Sequence, residues 1–91
     1  MTKSIESGIS AKLMGTSKLS AIKDAAINLG IKGIAFIKED GSIKVIAEGE
    51  EKNLEKFAKR IERIFFFSSI ENFYILWKDF KGEFSDFSIS Y

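Results

Sequence analysis

An α+β fold is predicted, with two amphipathic helices on one face of an antiparallel sheet. Three observations carry it. Apolar spacing switches from two to three-and-four and back, in the order strand, helix, strand, strand, helix, strand and a short final strand. An Asp-Gly pair separates two β-prone runs, and the chain contains no proline to interrupt an element. With 91 residues, 45% of them apolar, there is material for one hydrophobic core, so 1–91 reads as a single domain.

Each element has a local reason. Ile5, Ser7, Ile9, Ala11 and Leu13 alternate with Glu6, Gly8, Ser10 and Lys12, which is the period of a half-buried strand. Gly15 ends it, and Thr16 or Ser17 is suited to cap a helix. Leu19, Ile22, Ala25, Ala26 and Leu29 then form a helical stripe, closed by Gly30 where a left-handed residue is wanted. Lys32 to Lys38 and the alternating Ile43, Val45 and Ala47 flank Asp40-Gly41, the composition of a β-hairpin. After Gly49 a second stripe of Leu54, Phe57, Ala58, Ile61 and Ile64 or Phe65 appears. Its acidic residues come first and its basic residues last, complementing the helix dipole. Asn72 to Trp77 and Phe87 to Tyr91 read as the closing strands. This order is the ferredoxin-like split β-α-β arrangement, a fold that hosts many functions.

Composition narrows those functions. Fourteen basic and thirteen acidic residues give a formal charge of +1, and no basic block or RNP-like motif is present, so neither nucleic acid nor an anionic membrane is expected as a partner. Without Cys, thiolate chemistry and disulfides are ruled out, and without His as well a transition-metal site would have to rest on carboxylates alone, so no metal is expected. No signal peptide or membrane-spanning run is visible, and a cytoplasmic location is expected. Glu48, Glu50 and Glu51 read as solvated charges at a helix start.

Leu29-Gly30-Ile31-Lys32-Gly33, then Asp40 through Gly49, then Gly82-Glu83-Phe84-Ser85-Asp86-Phe87-Ser88-Ile89, occur in an order and spacing that resemble the acylphosphatase family. The resemblance is close from Ile22 onward and implies an acylphosphatase-like α/β sandwich. It also implies a cofactor-free hydrolase acting on carboxyl-phosphate bonds. In that family a glycine-rich loop after the first strand wraps the phosphate, an Arg at its end binds phosphoryl oxygens, and an Asn on the second strand positions water. A loop at a helix N-terminus is an anion cradle, and a guanidinium fork matches a phosphate.

Counted back from Gly30, the family loop falls on Ala11 to Leu19, retaining one glycine, Gly15. The Arg position falls on Leu19 and the Asn position, counted from Gly33, on Ile37. The resemblance therefore implies a family member without efficient catalysis, a binding or interaction module. The alternative is a divergent hydrolase in which Lys18, with Lys12, Gly15, Thr16 and Ser17, binds a phosphate-like anion. Leu19 also fits the helix stripe, and Lys12 and Lys18 fit as solvated charges. Phe65, Phe66 and Phe67 cannot all face one way, so an aromatic patch with Phe36 or Trp77 would suit a protein partner or a homodimer.

Overall fold

The computed structural model describes residues 1–11, 17–65 and 70–90. Lys12, Leu13, Gly15, Thr16, Phe66, Phe67 and Tyr91, all used above, lie outside the described residues. The elements are β1 (Thr2–Ala11), α1 (Ser17–Asn28), β2 (Lys32–Ile37), β3 (Ile43–Glu50), α2 (Glu51–Ile64), β4 (Ile70–Asp79) and β5 (Phe87–Ser90). The β4 strand extends beyond the span that alternation suggested.

Local chemistry sets the boundaries. At the end of α1, Gly30 adopts φ 67°. The Gly30 N–H donates to the Ile27 carbonyl and the Ile31 N–H to that of Ala26, the paired bonds of a Schellman cap. Between β2 and β3 the Gly41 N–H donates to the Lys38 carbonyl at 2.9 Å and the Lys38 N–H to that of Ser42 at 2.8 Å. Gly41 has φ 87°, so this is a type I turn completed by a left-handed glycine. Asp40 Oδ1 accepts from the Ser42 N–H and hydroxyl. That bonding holds the Asp40 carboxyl below its ordinary pKa, with the hydroxyl contributing most.

The sheet order is β4-β1-β3-β2-β5. The neighbours β4-β1, β1-β3 and β3-β2 pair antiparallel, but β5 pairs with β2 in parallel, so the sheet is mixed rather than wholly antiparallel. The reason is topological. Residues 80–86 reverse direction after β4 and cross to the opposite edge, where the neighbouring strand β2 already runs opposite to β4.

Helix α1 packs on β2 and β5 and helix α2 on β1 and β3. Between helices and sheet, Leu19, Ile22 and Ala26 meet Leu54, Phe57, Ile61 and Phe65 over Ile5, Ile9, Ala35, Ile43, Val45 and Ala47, all buried. The Phe57 and Phe87 rings meet edge-on at 6.0 Å, the geometry aromatic pairs prefer. Ser7 faces this core, buried, with no hydrogen-bond partner for its hydroxyl among the described residues. Such an orphan costs roughly 1–3 kcal/mol.

Candidate functional site

The site implied by the resemblance lies where β1 ends and α1 begins. Lys12, Gly15 and Thr16 fall in the stretch outside the described residues, and Ser17 opens α1. Leu19, in the first turn of α1, is 0% exposed, so it serves the core. Ile37 ends β2 opposite Ile43 and is 37% exposed. Lys18 reaches across to α2, where its ammonium donates to the Ile64 carbonyl at 3.0 Å and lies 5.8 Å from the centre of the Phe65 ring. A cation at a helix C-terminus and over an aromatic face is stabilised by both. The geometry thus brings Lys18 to the α2 terminus and does not leave its ammonium unengaged.

Among the described residues no helix covers the opposite face of the sheet. Its side chains are Tyr74, Leu76 and Lys78 from β4, Ser4, Glu6 and Gly8 from β1, Lys44, Ile46 and Glu48 from β3, and Lys32, Ile34 and Phe36 from β2, as the strand register fixes. Glu6 is the electrostatic centre. Lys78 lies 3.2 Å and Lys44 3.6 Å from its carboxylate, and the Tyr74 hydroxyl donates to it at 3.5 Å. The Lys78 hydrogen bond, followed by the charges of Lys44 and Lys78, holds the Glu6 pKa below its ordinary value. The hydroxyl end of the Tyr74 ring sits over Gly8, leaving no room there for a Cβ.

Glu48 stands on β3 and is 4% exposed, which corrects its reading as a solvated helix-start charge. Its carboxylate accepts three backbone N–H bonds, from Lys81 at 3.2 Å and Gly82 at 3.0 Å on Oε2 and from Glu83 at 3.0 Å on Oε1. The crossing from β4 to β5 is thereby tied to the middle of the sheet. Beneath it Ser4, Glu6, Ile46, Glu48 and Phe84 line a pocket of about 180 Å³. Glu6 and Glu48 carried no sequence signal, because their partners come from 33 to 72 positions away. Of the aromatics considered for a partner patch, Phe65 is buried, Phe36 is on the open face and Trp77, opposite Ile5, is on the helix side, while Phe66 and Phe67 lie outside the described residues. Among the described residues no group of three or more acidic side chains is placed to hold a metal ion, and no helix is long and apolar enough to cross a membrane.

A two-helix, open-faced sandwich defines a small α/β class, and comparison places the chain within it. The sequence model of the acylphosphatase family matches residues 19–89, and the chain belongs to that family. It is 29% identical over 89 residues to the acylphosphatase of Caldanaerobacter subterraneus subsp. tengcongensis, covering 98% of this chain and 99% of that one. The crystal structure of acylphosphatase from Bacillus subtilis superimposes with a TM-score of 0.86 at 20% identity over the full length of both chains. Full-length HypF, in a phosphate- and nucleotide-bound form, matches with a TM-score of 0.82 at 22% identity, covering 99% of this chain and 12% of HypF.

Proposed function

We propose that this chain is an acylphosphatase-fold module of the cytoplasm that binds rather than hydrolyses, its catalytic Arg and Asn positions being occupied by Leu19 and Ile37. The observation that carries the reading is the burial of Leu19, 0% exposed in the core. An aliphatic side chain at the phosphate-contacting position offers no donor to a phosphoryl oxygen, and Ile37 offers none to a water. Loss of one preorganised polar contact costs about 10²–10³ in rate, and the two losses act on one site without simple additivity. The nearest cation in sequence, Lys18, spends its ammonium on the Ile64 carbonyl.

A second reading is favoured by the full-length match to a protein named acylphosphatase. In it the loop around Gly15 cradles the anion and Lys18 leaves α2 to meet it. The two readings part in one assay. Hydrolysis of a small aromatic acylphosphate is measured for the natural chain, for Lys18→Ala and for Leu19→Arg/Ile37→Asn, beside the Bacillus subtilis enzyme. On the first reading the natural chain stays at least about 10²-fold below that enzyme and Lys18→Ala changes nothing. The double variant gains turnover and is stabilised by inorganic phosphate, a linkage that reports binding even if Arg in the core lowers its melting temperature. Turnover by the natural chain that disappears with Lys18→Ala establishes the second reading instead.

A further inference from the structure

We propose that the outer edge of β4 pairs with the same edge of a second copy of this chain, in an antiparallel register centred on Ile75, joining two five-stranded sheets into one. The two edges of the sheet are unlike. The β5 edge is four residues long and exposes Ser88 and Ser90. The β4 edge is ten residues long and among the described residues has no strand beyond it. Ile70, Tyr74, Leu76, Trp77 and Phe80, in and just after this strand, make up most of the large apolar side chains that stand exposed in the described structure. A long apolar edge is a template for pairing unless charge or a bulge blunts it, and within 72–77 β4 has no charged residue.

Composition on both faces points the same way. Phe73, Ile75 and Trp77 face the helix side and Tyr74 and Leu76 the open side. Yet both helices pack chiefly on other strands, and Trp77 remains 46% and Leu76 48% exposed. A strand apolar on both faces is the composition of an interior strand.

The sequence of β4 selects its own copy as the occupant. Antiparallel pairing about a two-fold axis keeps each face continuous, so the axis passes through a residue position. Through Ile75 it sets Ile75 against its counterpart on the axis, and Tyr74 against Leu76 and Phe73 against Trp77, these two contacts each occurring twice. These are the aromatic and aliphatic cross-strand pairs that stabilise sheets. An axis through Tyr74 would set Trp77 against Glu71 and Leu76 against Asn72. One through Leu76 would set Phe73 against Asp79 and Tyr74 against Lys78. Only the Ile75 register keeps the apolar centre together. It leaves Glu71 opposite Asp79 at the solvated ends, an unfavourable like-charge contact that the apolar centre must outweigh. A formal charge of +1 per chain adds little repulsion between copies. The β4 edge contains none of Lys18, Leu19 and Ile37, so its pairing is separate from the hydrolysis question.

The absence of cysteine makes the test direct. Sedimentation equilibrium gives the mass of the full chain as concentration rises, and Ile75→Cys and Ser88→Cys variants are oxidised mildly at about 10 µM. Thiols facing each other across the axis meet at an effective concentration on the order of mM, so Ile75→Cys crosslinks at least about tenfold faster than Ser88→Cys. The mass rises from 10.2 kDa toward twice that value, and Leu76→Lys, altering an exposed side chain, lowers the dimer fraction without lowering the monomer's melting temperature. A single-chain mass at about 1 mM overturns the proposal. So does a dimer in which the two cysteines crosslink at equal rates, because it would use another surface.

Discussion

Removing the Glu48 carboxylate should release the segment that crosses from β4 to β5. Three N–H groups converge on it, from Lys81, Gly82 and Glu83, at 3.0–3.2 Å. A hydrogen bond to a charged group contributes roughly 1.5–3 kcal/mol, so three give an upper bound near 9 kcal/mol. The donors belong to exposed residues, however, and regain water once the carboxylate is gone. The net loss for Glu48→Ala is therefore nearer the value of one or two such bonds, about 3 kcal/mol. In a domain of this size that lowers Tm by about 12–24 °C. Glu48→Gln retains one acceptor oxygen: turned toward Lys81 and Gly82, it keeps two bonds as neutral ones and loses that of Glu83. About half the loss should follow. Urea unfolding measures the cost and amide exchange at 81–83 its location. A cost under about 1 kcal/mol with unchanged protection at those three amides would refute the idea that Glu48 holds the crossing.

Two further substitutions test the backbone and the open face. At Gly33, with φ 154°, an added Cβ would lie 2.0 Å from the Ile46 carbonyl oxygen, whereas at Gly30, with φ 67°, nothing lies within 4 Å. Gly33→Ala should thus cost at least about 3 kcal/mol and Gly30→Ala only about 1–2, and equal urea midpoints would be the contrary result. The folded-state pKa of Glu6 is depressed below 4.5, chiefly by its hydrogen bond from Lys78. Its contribution is present above pH 4.5 and is lost as pH falls through the folded value. Urea midpoints should therefore drop more steeply below pH 4.5 in the natural chain than in Glu6→Gln, and parallel acid limbs would show that the Lys44–Glu6–Lys78 cluster adds nothing.

What was legible in the sequence was whatever repeats locally. The α1 stripe needs only neighbours three and four apart, and Leu19, Ile22, Ala25 and Ala26 are all buried as that spacing requires. Gly30 and Asp40-Gly41 announce their turns through backbone conformations that few residues adopt. The parallel pairing of β5 was not legible, because a four-residue strand says nothing of its partner. Glu48 was misread for a similar reason. Beside Glu50 and Glu51 it looks like one more solvated acid, and its donors come from 33 to 35 residues downstream. Lys18 likewise finds its carbonyl 46 residues away, so its charge could be seen in the sequence but not its destination. The stretch carrying Lys12, Gly15 and Thr16 matches the family least.

On the proposed reading, position 19 sets two requirements against each other. A fully buried Leu contributes about 1.5–3 kcal/mol relative to an exposed one, and Leu19 meets that condition at 0% exposure. An Arg there must send its guanidinium out of the core to a phosphate or to water, giving up part of that burial for a charge that acts only when ligand is present. The same holds more weakly at position 37, where Ile continues the apolar helix-side face of β2 opposite Ile43. Each replacement favours the unliganded fold at the expense of the liganded one. A chain so altered keeps the architecture of its family without the ligand's contribution to stability.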